Sequence, residues 1–333
     1  MSKFFKGELE KVNECPYCGS SKRNIAHKNV SDWSFNVAHG KWCYYTCDNC
    51  KSLHLNPRPT FLSIREAYIN YYTHGDNSEF FNLSRLRILL KNAWLSFLLE
   101  KNISPKLYVP KNLMALLVKI SGRISLPFWI KPLVTTKPGK FLDMGCGSGA
   151  AMTIASQIGW DVIGIDFDEA AVAVARKRGL TAFVGTDKLL DDYHDYFDFV
   201  LSSHVLEHVH EPLKFLIRMC NSVSKNGMLV ITLPNAMSFV RDHFGDNWRG
   251  LEAPRHLNLP SQHFLVEFLS NLGFHVEIMS DDSAETILES YQIQRRANKL
   301  NIIDRINAKF LKIERGSKAH SNDFIKLVCR KND

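Results

Sequence analysis

The sequence predicts an α/β fold, a mostly parallel sheet with helices on both faces, preceded by a small metal-clipped segment. Three observations carry this. From residue 139 onward, short apolar runs alternate with amphipathic stretches. The run "FLDMGCGSGA" (141–150) passes from apolar residues through an acid into glycines, as a strand-to-helix turn does. Near the start, "CPYC" (15–18) and "CDNC" (47–50) form two paired-cysteine knuckles.

The candidate strands are 140–144, 160–165, 181–184, 197–201 and 227–233. Helices are expected at 149–158, at 168–178 opened by Asp168, and at 211–224 with Pro212 in its first turn. A helix capped by Ser261 follows at 261–271. "GFHVEIMS" and "DFIKLVCRK" then supply two late strands, joined through one helix at about 285–313. Together they complete a seven-stranded sheet. Three segments are expected: a zinc ribbon over 1–60, a helical cap or linker over 61–137 interrupted by prolines, and the α/β domain over 138–333.

Length and apolar content are ample for a buried core: 333 residues, 45% of them hydrophobic. The start, "MSKFFKGELEKVNE", lacks the apolar stretch of an export signal. No apolar run reaches the ~18 residues that span a bilayer. A cytoplasmic location is expected, and there paired cysteines bind metal rather than form disulfides. Cys15, Cys18, Cys47 and Cys50 have the spacing of a tetrahedral, structural zinc site.

The formal charge of +8 is unevenly placed. Residues 1–137 carry 20 Lys/Arg against 9 Asp/Glu, while 85–137 carry ten basic residues and one acid, Glu100. The stretch 83–137 is also rich in leucine and tryptophan. It suits a cap over the active site, a peripheral contact with an anionic membrane, or an RNA platform.

The glycine turn satisfies the dinucleotide pattern through Gly145, Gly147 and Ala150, but Asp143 stands two residues ahead of it. A carboxylate there repels a pyrophosphate docked on the helix N-terminus and tolerates a ligand bearing an amino group and a sulfonium. Asp166, at the end of the second strand, is placed to grip ribose hydroxyls.

"FLDMGCGSGA", "GIDFDEAAVAVARKRGL", "FDFVLSSHVLEHVHEP" and "GMLVITLPN" occur in order and resemble the successive motifs of class I S-adenosylmethionine-dependent methyltransferases. The resemblance implies a Rossmann-like methyltransferase sheet and S-adenosylmethionine as cofactor. It implies that Asp143, Gly145, Cys146, Gly147 and Gly149 hold the methionine part. Asp166 and its neighbour Phe167 then follow strand two, Thr186 flanks the adenine, and Ser203 and His204 lie beside the cofactor. "PRHLNLPS" resembles the histidine-bearing segment of the zinc-binding C-methyltransferases of nucleotide-linked sugars, with His208 and His256 at the matching positions. That family's tyrosine three residues before the second histidine is Ala253 here, which argues against carbon methylation. "CDNCKSLHLNPRPT" before "YINYY" is similar to the ribbon join of methyltransferases in bacterial cell-surface glycan and secondary-metabolite clusters, which implies a role such as polysaccharide biosynthesis.

Histidine suits removal of an acceptor proton because it titrates near neutral pH. His256, in a long irregular segment after strand five, is the expected general base, with His208 assisting. The expected acceptor is a small sugar-bearing molecule, a nucleotide sugar or a glycan intermediate. The alternatives are an RNA or tRNA methyltransferase and a cofactor-binding scaffold without turnover. His204 and His208 share a face only if their turn is helical, and "HVLEH" lacks the glutamate that a metalloprotease motif needs after its first histidine.

Overall fold

The computed structural model describes residues 7–68, 89–90, 92–94, 96–97, 103, 106–114, 127–280, 285–296, 301–316 and 322–333. Much of the segment 61–137, including the stretch considered for a cap, a membrane contact or an RNA platform, lies outside the described residues.

Strands β1 (Leu9–Glu10), β2 (Arg23–Val30), β3 (Trp42–Cys47), β4 (Leu53–Leu55) and β5 (Arg58–Pro59) come first, and helix α1 (Ile130–Thr135) follows. The α/β region then runs β6 (Lys140–Met144), α2 (Ala150–Gln157), β7 (Asp161–Asp166), α3 (Glu169–Lys177), β8 (Thr181–Val184), β9 (Phe197–Ser203), α4 (Pro212–Ser222) and β10 (Val223–Pro234). It continues through α5 (Phe239–Phe244), β11 (Asn258–Leu259), α6 (Gln262–Asn271), β12 (Phe274–Ile278), α7 (Glu285–Arg295), α8 (Ile302–Gly316) and β13 (Phe324–Lys331).

The seven-stranded sheet has the order β12-β13-β10-β9-β6-β7-β8. β6, β7 and β8 pair in parallel, in register Phe141 with Val162 and Ile163 with Thr181. β13 is antiparallel to both β10 and β12. The central strands β6, β9 and β10 are largely buried and read as the apolar runs seen in the sequence. The expected caps form: Asp168 accepts the amide hydrogens of Ala170 and Ala171, and Ser261 Oγ accepts that of Phe264. One expectation needs correction. The single helix at about 285–313 is two helices, α7 and α8, and Arg296 after α7 has φ +51°.

The chain divides into two compact units. One comprises Met1–Tyr71, Asp187–Asp195 and Ser202–Asp333; the other comprises Tyr72–Thr186 and Tyr196–Leu201. In the first, β11 pairs with β4 and extends the β2-β3-β4 hairpin sheet to four strands. Its core gathers Trp42, Tyr44, Leu55, Phe244, Trp248 and Leu257. The Tyr44 hydroxyl lies 2.6 and 2.7 Å from the carbonyl oxygens of Leu251 and His256, so the histidine-bearing segment is fastened to the N-terminal sheet. In the second unit, Phe141 stacks on Phe199 at 5.5 Å and Trp160 meets both rings edge-on. Among the described residues no helix is long and apolar enough to cross a membrane.

Candidate active site and metal centre

The glycine turn belongs to the second unit. The amide hydrogens of Gly145 and Cys146 reach Ile165 O at 2.8 and 3.2 Å and tie the turn to β7. Gly149, φ +81°, is the residue ahead of α2, and a Cβ there would run into Leu180 and Ala175. Asp166 stitches the turn together. Its Oδ2 accepts the Gly147 amide at 2.7 Å and its Oδ1 accepts the Asp168 amide at 2.9 Å. Each oxygen keeps a further lone pair for a ligand hydroxyl.

Asp143 is buried, and burial together with the Asp166 charge pushes its pKa up to about 7. Two neighbouring buried carboxyls without a cation explain that rise, and a cationic ligand would reverse it. S-adenosylmethionine, with a sulfonium and an ammonium, fits this demand. A diphosphate does not. Cys146 is buried, and burial pushes its thiol pKa up, so it serves as a small neutral filler whose Sγ a Cβ on Gly164 would meet at 2.7 Å. Phe167, one residue past β7, is exposed, and Thr186, two residues past β8, is half-buried. Ser203 and His204 belong to the other unit.

That unit holds the histidines. His204 has φ +58° and Leu206–His208 form a single 3-10 turn, so His204 and His208 do not share a helical face. Instead His204 Nδ1 lies 3.1 Å from Glu207 Oε1. Glu207 is fully buried, and its Oε2 has no hydrogen-bond partner among the described residues. Burial raises its pKa, but the His204 hydrogen bond and the charges of His204, His208 and His256 outweigh burial and lower it.

His208 and His256 meet edge to face, ring centroids 4.8 Å apart. His208 Nδ1 is 3.0 Å from both the Arg255 carbonyl and the Tyr68 hydroxyl. His256 Nδ1 lies 2.7 Å from the Gly250 carbonyl. A carbonyl accepts only, so each Nδ1 carries the proton and each Nε2 carries a lone pair. Burial lowers the His256 pKa to about 4 against the opposing pull of Glu252, whose Oε2 is 3.9 Å from Nε2. Glu252 is itself buried, yet His256, Arg249 and Arg255 outweigh that burial and bring its pKa down to about 2.

Arg255 is the strut of this segment. It is fully buried, its guanidinium 2.6 Å from Asp32 Oδ1, 3.1 Å from Glu252 Oε1 and 3.0 Å from Ala67 O. It also lies over the Phe35 ring at 4.3 Å. Glu207, Glu252, Arg255 and Asp32 were not among the residues singled out from sequence. The available signal was an acid directly before His208 and another four residues before His256.

Among the described residues, two groups could hold a metal ion. One ligand-capable atom from each of Glu207, His208 and His256 lies within 4.8 Å of the others, a spacing that must contract before one ion is bound at ~2.1 Å from all three. The four knuckle sulfurs form the second group. Cys15 Sγ is 3.5 Å from Cys50 Sγ and Cys18 Sγ is 3.5 Å from Cys47 Sγ. These separations are far too long for disulfides and close to the ~3.8 Å edge of a tetrahedron with ~2.3 Å zinc–sulfur bonds. Cys43 lies outside the group. Ser261 Oγ, 2.6 Å from Cys50 O, ties the second knuckle to the cap of α6.

Residues 94–277, more than half of the chain, match the family described as "Methyltransferase domain". The ubiquinone biosynthesis O-methyltransferase of Pseudomonas aeruginosa is 35% identical over 106 residues, which cover 30% of this chain and 45% of that protein. Its namesake from Hahella chejuensis is 38% identical over 98 residues, 27% of this chain and 41% of that protein. The match thus spans less than half the length of these curated relatives. Among solved structures, a SAM-dependent methyltransferase from Archaeoglobus fulgidus covers 67% of this chain and 95% of its own, at 18% identity and a TM-score of 0.45. By the extent of the family match, the chain belongs to the methyltransferase-domain family.

Proposed function

We propose that this methyltransferase methylates an oxygen of a small hydroxyl-bearing acceptor and that His208 takes the acceptor's proton. The observation that carries the reading is the tautomer lock: carbonyls of Arg255 and Gly250 hold each Nδ1 as a donor and leave each Nε2 with its lone pair. Bound S-adenosylmethionine supplies the activated methyl group, and Asp143, Gly145, Gly147, Gly149 and Asp166, with Cys146, Phe167 and Thr186 alongside, are the residues that would hold it. His208 Nε2 would be the group that takes the acceptor's hydroxyl proton during methyl transfer. Glu207 and Glu252 are the buried anions that favour the resulting imidazolium.

Sequence pointed to His256 as principal base. We assign that role to His208 because it is half-buried, whereas His256 is 5% exposed and holds a proton weakly. Oxygen as the methylated atom is supported by the name of the curated relatives, O-methyltransferases of ubiquinone biosynthesis. A sugar-bearing acceptor is supported by the "PRHLNLPS" resemblance alone, and the Ala253 departure turns that resemblance from carbon toward a sugar hydroxyl. Zinc on Cys15, Cys18, Cys47 and Cys50 is proposed as structural, because four thiolates leave no open position.

The test is transfer of a carbon-13 methyl group from the cofactor into a cell extract, with the product's linkage read by NMR. A new O-methyl signal on a small molecule supports the reading. Label on carbon, on nitrogen or in RNA overturns it.

A further inference from the structure

We propose that α8 is a membrane-contact helix whose exposed isoleucine–phenylalanine stripe seats in the surface of an anionic lipid bilayer. One face of α8 is buried through Asp304, Ala308 and Leu311, and Asp304 is fixed by Arg295 Nε at 2.6 Å. A surface helix ordinarily turns polar residues to the side opposite its buried face. This one instead exposes a row of large apolar residues there. Ile302, Ile303, Ile306, Phe310 and Ile313 are exposed by 76, 60, 46, 68 and 71%. At ~100° per residue they fall within an arc of roughly 100° centred away from the buried face. Five large apolar side chains aligned on one exposed face mark a contact surface, whereas single scattered ones do not.

Charge complementarity selects the occupant. Arg305, Lys309 and Lys312 fill the arc between the stripe and the buried face on one side. Apolar side chains bordered by lysine and arginine match the boundary between acyl chains and anionic headgroups. The helix has 15 residues, about 22 Å at 1.5 Å per residue, too short to cross a bilayer, so it lies in the plane of the surface. The inference is independent of the acceptor and of the base assigned above.

The test is flotation of the full-length protein with vesicles of phosphatidylcholine alone and of equal parts phosphatidylcholine and phosphatidylglycerol. Binding to the mixed vesicles is expected at least about tenfold tighter than to the neutral ones, and weaker as salt rises. Ile306→Asp with Phe310→Asp should reduce that binding by at least about tenfold, with thermal unfolding and S-adenosylhomocysteine affinity unchanged. Arg305→Ala with Lys309→Ala should bring mixed-vesicle binding toward the neutral value. Failure of the wild type to float, or equal flotation of the aspartate variant, overturns the proposal. So does self-association that the aspartate pair abolishes in a protein that ignores vesicles, which would make the stripe an interface between copies.

Discussion

The ring of His208 stands edge-on to that of His256 at 4.8 Å, and each has its Nδ1 against a backbone carbonyl of the 250–255 segment. The carbonyls are those of Arg255 and Gly250, so one segment sets the tautomer of both. Replacing His256 by Ala is expected to lower kcat by about tenfold while cofactor affinity holds, because His208 loses its neighbour but keeps its own carbonyl. His256→Gln, which can still donate to Gly250 O, should recover part of the loss. Steady-state kinetics beside calorimetry with S-adenosylhomocysteine checks this; equal loss of turnover and affinity would make His256 a packing residue.

Cofactor binding should depend on pH through Asp143. Its pKa near 7 in the free protein means that part of the population is protonated at neutral pH. A cation favours the ionised form, so affinity for S-adenosylmethionine should rise as pH increases through 7, by at most about tenfold per unit below it. S-adenosylhomocysteine, which lacks the sulfonium charge, should show a shallower dependence. Asp143→Asn should flatten both curves. Calorimetry across pH 6 to 8 gives the slopes, and an identical slope for the two ligands would remove Asp143 from the sulfonium's field.

The four cysteines should carry zinc in equimolar amount with the chain. Cys47→Ser is expected to abolish that stoichiometry and to lower Tm, since Cys47 is buried and the metal contributes folding energy to the ribbon. Because Ser261 ties the Cys50 carbonyl to α6, the loss should also speed hydrogen exchange at the start of α6. Metal analysis and exchange mass spectrometry read both effects.

Arg255 is a buried cation held by Asp32 and Glu252. Arg255→Met leaves Asp32 buried without its partner and should cost about 3–5 kcal/mol of stability. Asp32→Asn combined with Arg255→Met should cost less than Arg255→Met alone. Denaturant unfolding measures the difference; a double variant as unstable as the sum of both singles would contradict the ion-pair account.

The sheet was legible in the sequence because its central strands β6, β9 and β10 are largely buried and read as apolar runs. β6, β8 and the cap Asp168 lie where the alternation of apolar runs places them. The break between α7 and α8 was not, because neither proline nor glycine marks it. The signal there is Asn301, whose side chain accepts the Asp304 amide at 2.8 Å as a cap ahead of α8. His208 and His256 stood out in the sequence, and the fold brings their rings together. Glu207, Glu252 and Arg255 were not, because an acid or arginine reads as solvated surface until a fold buries it against opposite charge.

The role given to His208 is tested most directly by single-turnover transfer in His208→Ala loaded with S-adenosylmethionine. The account requires the rate to fall by about a hundredfold or more, with cofactor affinity intact and partial recovery as pH rises and the acceptor ionises unaided. A variant that transfers methyl at the wild-type rate across that pH range would contradict it.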